Sequence, residues 1–484
     1  MAADGITNRT TSLCFTKFQN VIDGKLVGTE KTRCSVNPST LKDLPPVPVS
    51  TPADVDRAVE VAKKAQESWA EVPWTERRKA IHAFAAALES QIDDFSQMLT
   101  KEQGKPLGFA NFEMQITLNC LRELANFPET EETIEETDDK KVIARYIPLG
   151  VVVGIVPWNF PIQLASVKLA SALITGNTFI LKSSPFTPYC SLKMAELAIP
   201  FFPPGVFQCL SGDDDLGPWL TAHPGVNKVT FTGSIATGKR VMESCSKTLK
   251  RVTLELGGND PAIVCSDVDV VEVAPEIAGL ALINSGQVCC AIKRVFVHES
   301  IYEALLKAMV EYAKGLNVGD GFQEGVWLGP VNNRLQYDRV KNLLEDIERT
   351  RLTVALGSTK VSTMGNGYFI TPTIIDNPPD NSRIVVEEPF GPVFPVLKWS
   401  DEAEVIKRAN DSDMGLGASV WTKDLVQAER IARKLQVGSV WINNHMAGQA
   451  NAPFGGHKQS GVGVEYGEAG LKGYCDVQTL FLKK

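Results

Sequence analysis

From Tyr146 onward the chain alternates short apolar runs with helical stretches, and this alternation limits the fold more than any other feature. Val151–Val156 reads as a buried strand and Leu164–Ile174 as a helix. Strand, helix, strand and helix follow at Thr178–Lys182, Ser191–Ile199, Val206–Leu210 and Asp215–Ala222. Strand Val226–Thr230 then leads into helix Thr237–Ser246. Such a βαβα order implies a parallel sheet covered by helices on both faces. Its ligand crevice is expected at the carboxyl ends of the strands.

A second alternating block begins shortly after Gly257-Gly258. Strands are expected at Pro261–Cys265, Arg294–His298, Phe369–Ile375 and Pro395–Trp399, with helices at Val271–Asn284 and Tyr302–Gly315. Upstream, Ala53–Thr100 reads as two helices, the first opening after Thr51-Pro52. The acidic stretch Glu129–Asp139 reads as an exposed connection or edge strand. The most apolar run, Ile147–Pro157, is too short to span a bilayer as a helix and reads as one buried strand.

Composition narrows the function. The net charge of −8 argues against a nucleic-acid binder and gives no attraction to an anionic membrane. The ten cysteines include no CxxC pair, which disfavours zinc ribbons and suggests reduced thiols in a cytoplasmic setting. The five histidines lack HExxH spacing, so no metal site is expected. Met1–Gly5 shows no secretory signal, and Leu480–Lys484 is no retention or peroxisomal signal.

Several segments carry chemistry. Gly286-Gln287-Val288-Cys289-Cys290 lies downstream of Leu254-Glu255-Leu256-Gly257-Gly258. A thiolate and a carboxylate suffice for covalent attack on a carbonyl followed by activation of water. Taken alone, a cysteine is more often a small core residue. Asn159, in Pro157-Trp158-Asn159-Phe160-Pro161, is a neutral amide donor suited to an oxyanion, or a cap for the next helix. Gly233 and Ser234 sit in a strand-to-helix turn that could face phosphate or be purely structural. The nearby GSIATGKR only mimics a P-loop, because Arg240 replaces the Mg²⁺-binding hydroxyl. Lys182 lies at a strand end on the expected crevice edge. Glu387-Glu388-Pro389-Phe390-Gly391-Pro392 is a rigid turn with an acid and an aromatic ring.

Together these motifs, with Phe231-Thr232-Gly233-Ser234 and Pro453-Phe454-Gly455-Gly456, resemble the aldehyde dehydrogenase superfamily over nearly the whole chain. The resemblance implies a Rossmann-like cofactor domain (1–128 and 149–257) and an α/β catalytic domain (258–440), with 441–474 returning to the cofactor domain. It implies a small β oligomerisation segment (129–148 and 475–484) in a homodimer or homotetramer. Cys289 is then the nucleophile and Cys290 its non-catalytic neighbour. Glu255 is the base for deacylation, and Asn159 with the Cys289 N–H forms the oxyanion hole. Cofactor contacts fall to Trp158, Lys182, Ser184, Gly233, Ser234, Glu388 and Phe390. The implied reaction takes an aldehyde to a carboxylic acid with NAD, through a thiohemiacetal and a thioester. Glu255 favours water over coenzyme A as the acyl acceptor.

One departure bears on the cofactor. NAD-preferring relatives carry a glutamate three residues after the lysine, and here that position is Pro185. Pro185 neither accepts a bond from the ribose 2′-hydroxyl nor repels a 2′-phosphate, while Ser183 and Ser184 offer donors. NAD use with NADP tolerance is the expectation. Val167, where relatives carry a tryptophan, and the small residues of Asn444–Gly448 hint at a wide tunnel for bulky or aromatic aldehydes. The alternatives are a semialdehyde or short aliphatic substrate, a plain thioester-forming esterase, and a non-catalytic structural relative.

Overall fold

The computed structural model describes residues 13–129, 131–360 and 366–484; the Met1–Gly5 start lies outside them. Two large sheets dominate. The eight-stranded sheet runs in the order Lys25–Val27, Asn20–Ile22, Phe207–Leu210, Thr178–Lys182, Val151–Ile155, Lys228–Thr232, Arg251–Glu255 and Gly461–Val462. Its five central strands are parallel, and the outer pairings are antiparallel. Every residue of Val151–Ile155, Thr178–Lys182 and Lys228–Thr232 is buried, as strands covered on both faces must be.

The topology fixes where a ligand can sit. From Val151–Ile155 the chain winds outward through Thr178–Lys182 to Phe207–Leu210, then crosses back to Lys228–Thr232 on the other flank. That reversal opens a crevice between the two diverging connections, at the strand carboxyl ends. Trp158 and Asn159 follow one of these strands, and Gly233 and Ser234 follow the other.

The second sheet has seven strands, ordered Val354–Leu356, Thr373–Asp376, Val393–Trp399, Ile292–His298, Asp260–Val264, Gly417–Trp421 and Ser439–Ile442. All its pairings are parallel except that of Val354–Leu356. A third, three-stranded antiparallel sheet joins Glu131–Glu136, Lys140–Pro148 and Cys475–Lys483.

Several expectations need correction. The run Ile147–Pro157 is not one strand. Lys140–Pro148 belongs to the small sheet and Val151–Ile155 to the large one. The break falls at Gly150, whose φ of +124° suits glycine alone, and whose missing Cβ leaves room for the Asn227 side chain. Residues 53–100 hold three helices rather than two: Pro52–Ala70, Trp74–Glu89 and the start of Ile92–Gln103. Pro73 ends the first run, since it can start a helix but not continue one. Phe369–Ile375 is strand only over Thr373–Asp376. Helix Val270–Leu282 stops short of Asn284 for a reason that belongs to the site.

Candidate active site

Cys289 stands on an unusual turn. Asn284, Ser285 and Gly286 have φ of 51°, 56° and 71°, three consecutive left-handed residues. Left-handed backbone costs a residue with a Cβ about 1–2 kcal/mol, so the surroundings must enforce it. Ser285 Oγ donates to the Gly329 carbonyl at 2.7 Å. Gln287 Nε2 donates to the Asn284 carbonyl at 2.9 Å, while Gln287 Oε1 accepts from Asn332 N–H at 2.8 Å. Gly286 has no alternative, because a Cβ there would stand 2.1 Å from the Gly391 carbonyl oxygen.

Glu255 ends strand Arg251–Glu255, level with Thr232 on the neighbouring strand. It is 3% exposed, and neither carboxylate oxygen has a hydrogen-bond partner among the described residues. Burial raises its pKa to about 7, against small opposing effects from the Cys289 thiol, Lys168 and Thr232. The thiol of Cys289 faces this carboxyl. Its pKa is pushed well above the ordinary range by the Cys290 side chain first, then by burial and by Glu255.

Asn159 does not cap the following helix. Glu113 takes that role, accepting from the Ile162 and Gln163 N–H groups at 3.0 and 3.2 Å. Asn159 Nδ2 instead donates to the Gln287 carbonyl at 3.0 Å, tying the amide to the nucleophile turn and leaving its second N–H free. From behind, Lys105 Nζ donates to the Asn159 carbonyl at 2.8 Å and pairs with Glu113 at 2.5 Å.

Lys182, Gly233 and Ser234 stand at or just past the carboxyl ends of parallel strands, and Glu388 and Phe390 on a turn that reaches Gly258. Lys182 is buried, forms no ion pair among the described residues, and has its pKa lowered to about 8 by burial, with Asp214 opposing and Arg33 reinforcing. Ser234 caps helix Ile235–Ser246 by accepting from Thr237 N–H at 3.2 Å. Lys239 of the mock P-loop is engaged with Gln459 at 2.8 Å. Glu388 accepts from Gly258 N–H at 3.3 Å, and a Cβ on Gly257 would stand 2.5 Å from its other oxygen. Phe390, at φ 48°, packs edge-on against Trp158 with ring centroids 5.4 Å apart. Gln336 and Arg339 hold this turn through the Phe390 and Glu388 carbonyls at 3.0 and 2.9 Å.

Ser184 and Ser183 are less free than expected. Ser184 Oγ accepts from Phe186 N–H at 3.3 Å, and Ser183 is 1% exposed. Val167 is 0% exposed inside the core of its own helix, so it presents no surface to a tunnel. Gln163 and Leu164 are the half-buried residues near that helix start.

Sequence reasoning missed the buried cations. Lys168 pairs with Glu465, which also accepts from the Thr230 hydroxyl at 2.9 Å, and both ions act on Glu255. The partners lie 297 residues apart in the chain, and no local signal joins them.

A doubly wound parallel sheet with Asn159, Glu255 and the Cys289 turn gathered beside it marks an α/β protein with a ligand crevice at its strand ends. The sequence profile of the aldehyde dehydrogenase family matches residues 27–480, and the chain belongs to that family. It is 42% identical to the aldehyde dehydrogenase LUC3 of a Fusarium species, over 97% of this chain and 100% of that one. It is 40% identical to human retinaldehyde dehydrogenase 3, over 94% and 90% of the two chains. The NAD+ complex of an aldehyde dehydrogenase from Bacillus cereus superposes with a TM-score of 0.94 at 36% identity, covering 96% of each chain.

Proposed function

We propose that the protein oxidises an aldehyde to its carboxylic acid with NAD+, with Cys289 as nucleophile. The observation that carries this reading is the meeting of the half-buried Cys289 with the buried Glu255. One sits on the turn leading into strand Ile292–His298 of the second sheet and the other ends a strand of the first, and each perturbs the other's ionisation.

The crevice fits a dinucleotide. Lys182 offers a buried amine, unpaired among the described residues, at one strand end, Ser234 opens a helix N-terminus two strands away, and Glu388 and Phe390 close the other side. When bound, the nicotinamide supplies the hydride acceptor that converts a thiohemiacetal to a thioester. The remaining work falls to the chain. Cys289 Sγ gives up its proton to solvent and attacks the carbonyl carbon. The free N–H of Asn159, with the Cys289 backbone N–H, receives the developing oxyanion. Glu255, half ionised at neutral pH, then takes a proton from water as that water attacks the thioester. The acid leaves and the thiol is restored.

Bulky or aromatic aldehydes are the proposed substrates. The likeness to retinaldehyde dehydrogenases supports this, although Val167 lends it nothing. Pro185 supports NADP tolerance. No helix among the described residues is long and apolar enough to cross a membrane, and a cytoplasmic setting is proposed. The exposed Ile134, Val477 and Phe481 of the three-stranded sheet support assembly into a dimer or tetramer through that sheet.

An aldehyde panel followed by NADH and NADPH absorbance tests the reading, with Cys289→Ala as the control. Turnover of aromatic above short aliphatic aldehydes, abolished in the control, is expected. Undiminished turnover by Cys289→Ala sinks the mechanism, and a preference for short aldehydes sinks the substrate class.

A further inference from the structure

We propose that Lys293 is a positioning residue that couples the nucleophile turn to the acid of the cofactor site, because one buried ammonium binds both. This rests on Cys289 being the nucleophile and Glu388 a cofactor contact. Lys293 opens the way into strand Ile292–His298, four residues after Cys289, and is 3% exposed. Its Nζ donates to the Val288 carbonyl at 2.8 Å and to the Cys289 carbonyl. The same Nζ lies 3.2 Å from Glu388 Oε1. An ammonium has three N–H donors, and these three partners use them all.

The coupling follows from that count. Moving Glu388 away strips Lys293 of its nearest anion inside a buried pocket, and the ammonium must then shift toward other oxygens. Any such shift loosens the two carbonyls that flank the Cys289 peptide unit. The next carbonyl, that of Cys290, is held separately by His445 Nε2 at 2.8 Å, so the turn has a fixed end and an adjustable end. The charged and titratable groups acting on Lys293 are Glu388, Asp260, Cys289 and Cys290, and its charge in turn acts on His445. Asp260 lies beyond ion-pair distance of Lys293, its carboxylate filling the space left by the missing Cβ atoms of Gly258 and Gly417. The positive charge beside Cys289 also favours its thiolate.

A double-mutant cycle on the full-length enzyme tests this. Lys293→Met, Glu388→Gln and the double variant are compared for the rate of iodoacetamide alkylation at Cys289 against pH. The Cys289 peptide is followed by mass spectrometry, since nine other cysteines are present. NAD+ affinity is measured by fluorescence titration. Lys293→Met is expected to weaken NAD+ by about tenfold, the loss typical of a hydrogen bond to a charged group. It should also move the alkylation profile to higher pH. Glu388→Gln should change alkylation where Lys293 is intact and leave it unchanged when added to Lys293→Met. Additive effects, or an unchanged alkylation profile in Lys293→Met, overturn the coupling. Lys293→Arg keeps the charge but cannot reproduce the three-way geometry. If Lys293→Met does not fold, Lys293→Arg is read instead: the pH profile should stay near that of the parent while NAD+ binding weakens, and parental values for both refute the proposal. Failure of the Cys289 assignment looks different, since turnover would then survive Cys289→Ala.

Discussion

Replacing Glu255 with glutamine should make the protein more stable while stopping its turnover. The buried carboxyl titrates near 7, against 4.5 for a free one. Between those values the folded state keeps a proton that the unfolded state releases, so stability falls as pH rises through that window. Above pH 7 the accumulated penalty is about 3 kcal/mol, from about 1.4 kcal/mol per pH interval. Glutamine has the same shape and no charge, so it removes the penalty without opening a cavity. Thermal and urea unfolding of the two proteins at fixed concentration should therefore coincide near pH 4 and diverge by pH 8, the variant being the more stable by up to about 3 kcal/mol. Catalysis should move the other way. In the parent, the ionised fraction of Glu255 goes from about a tenth at pH 6 to about nine-tenths at pH 8, so deacylation-limited kcat should rise about tenfold. The variant should lose about 10²–10⁴ in steady-state rate and retain a first-turnover burst of NADH. A stability difference that is the same at pH 4 and pH 8 would refute the buried-acid argument.

Other perturbations probe other parts of the molecule. Gly286→Ala places a Cβ 2.1 Å from the Gly391 carbonyl oxygen at a left-handed position; a loss of several kcal/mol, of order 3–5, is expected in urea unfolding, with turnover lost even where folded protein remains. Pro185→Glu adds an acid beside the Lys182 strand end, and the ratio of kcat/KM for NAD+ over NADP+ should rise at least about tenfold. Phe481→Asp charges the face of the three-stranded sheet where Phe481 is 79% exposed; light scattering should show a smaller particle if that sheet joins subunits.

The parallel-sheet core was legible because doubly covered strands read as plain apolar runs between amphipathic helices. Thr178–Lys182 needs no context to be recognised. Cys289, Glu255 and Asn159 stand out by motif order, and in the structure Asn159 binds the Gln287 carbonyl beside Cys289 while Glu255 lies against the thiol. What stayed hidden depends on partners far along the chain. Nothing near Ile147 reveals that the apolar run changes sheets at Gly150, since both halves are apolar in sequence although only Val151–Ile155 is fully buried. Asn284 continues a helical pattern in sequence, and only the Gln287, Asn332 and Gly329 contacts turn it left-handed. Lys105, Lys168 and Lys293 carry no local sign of burial; the fold alone brings Glu113, Glu465 and Glu388 against them.

The closure of the small sheet by Cys475–Lys483 has a kinetic consequence. Arg145 meets Gln478 at 2.7 Å across 333 residues of chain. Thermodynamically the span is tolerable, because the entropy of closing a loop grows only with the logarithm of its length. In time it is long: at typical rates of synthesis, strand Lys140–Pro148 waits roughly 15–70 s for its partner to emerge. Gly461–Val462, which seals the edge of the strand bearing Glu255, arrives almost as late. A nascent chain thus carries open sheet edges through most of its manufacture, and early chaperone occupancy of residues 140–148 should govern the yield of active enzyme.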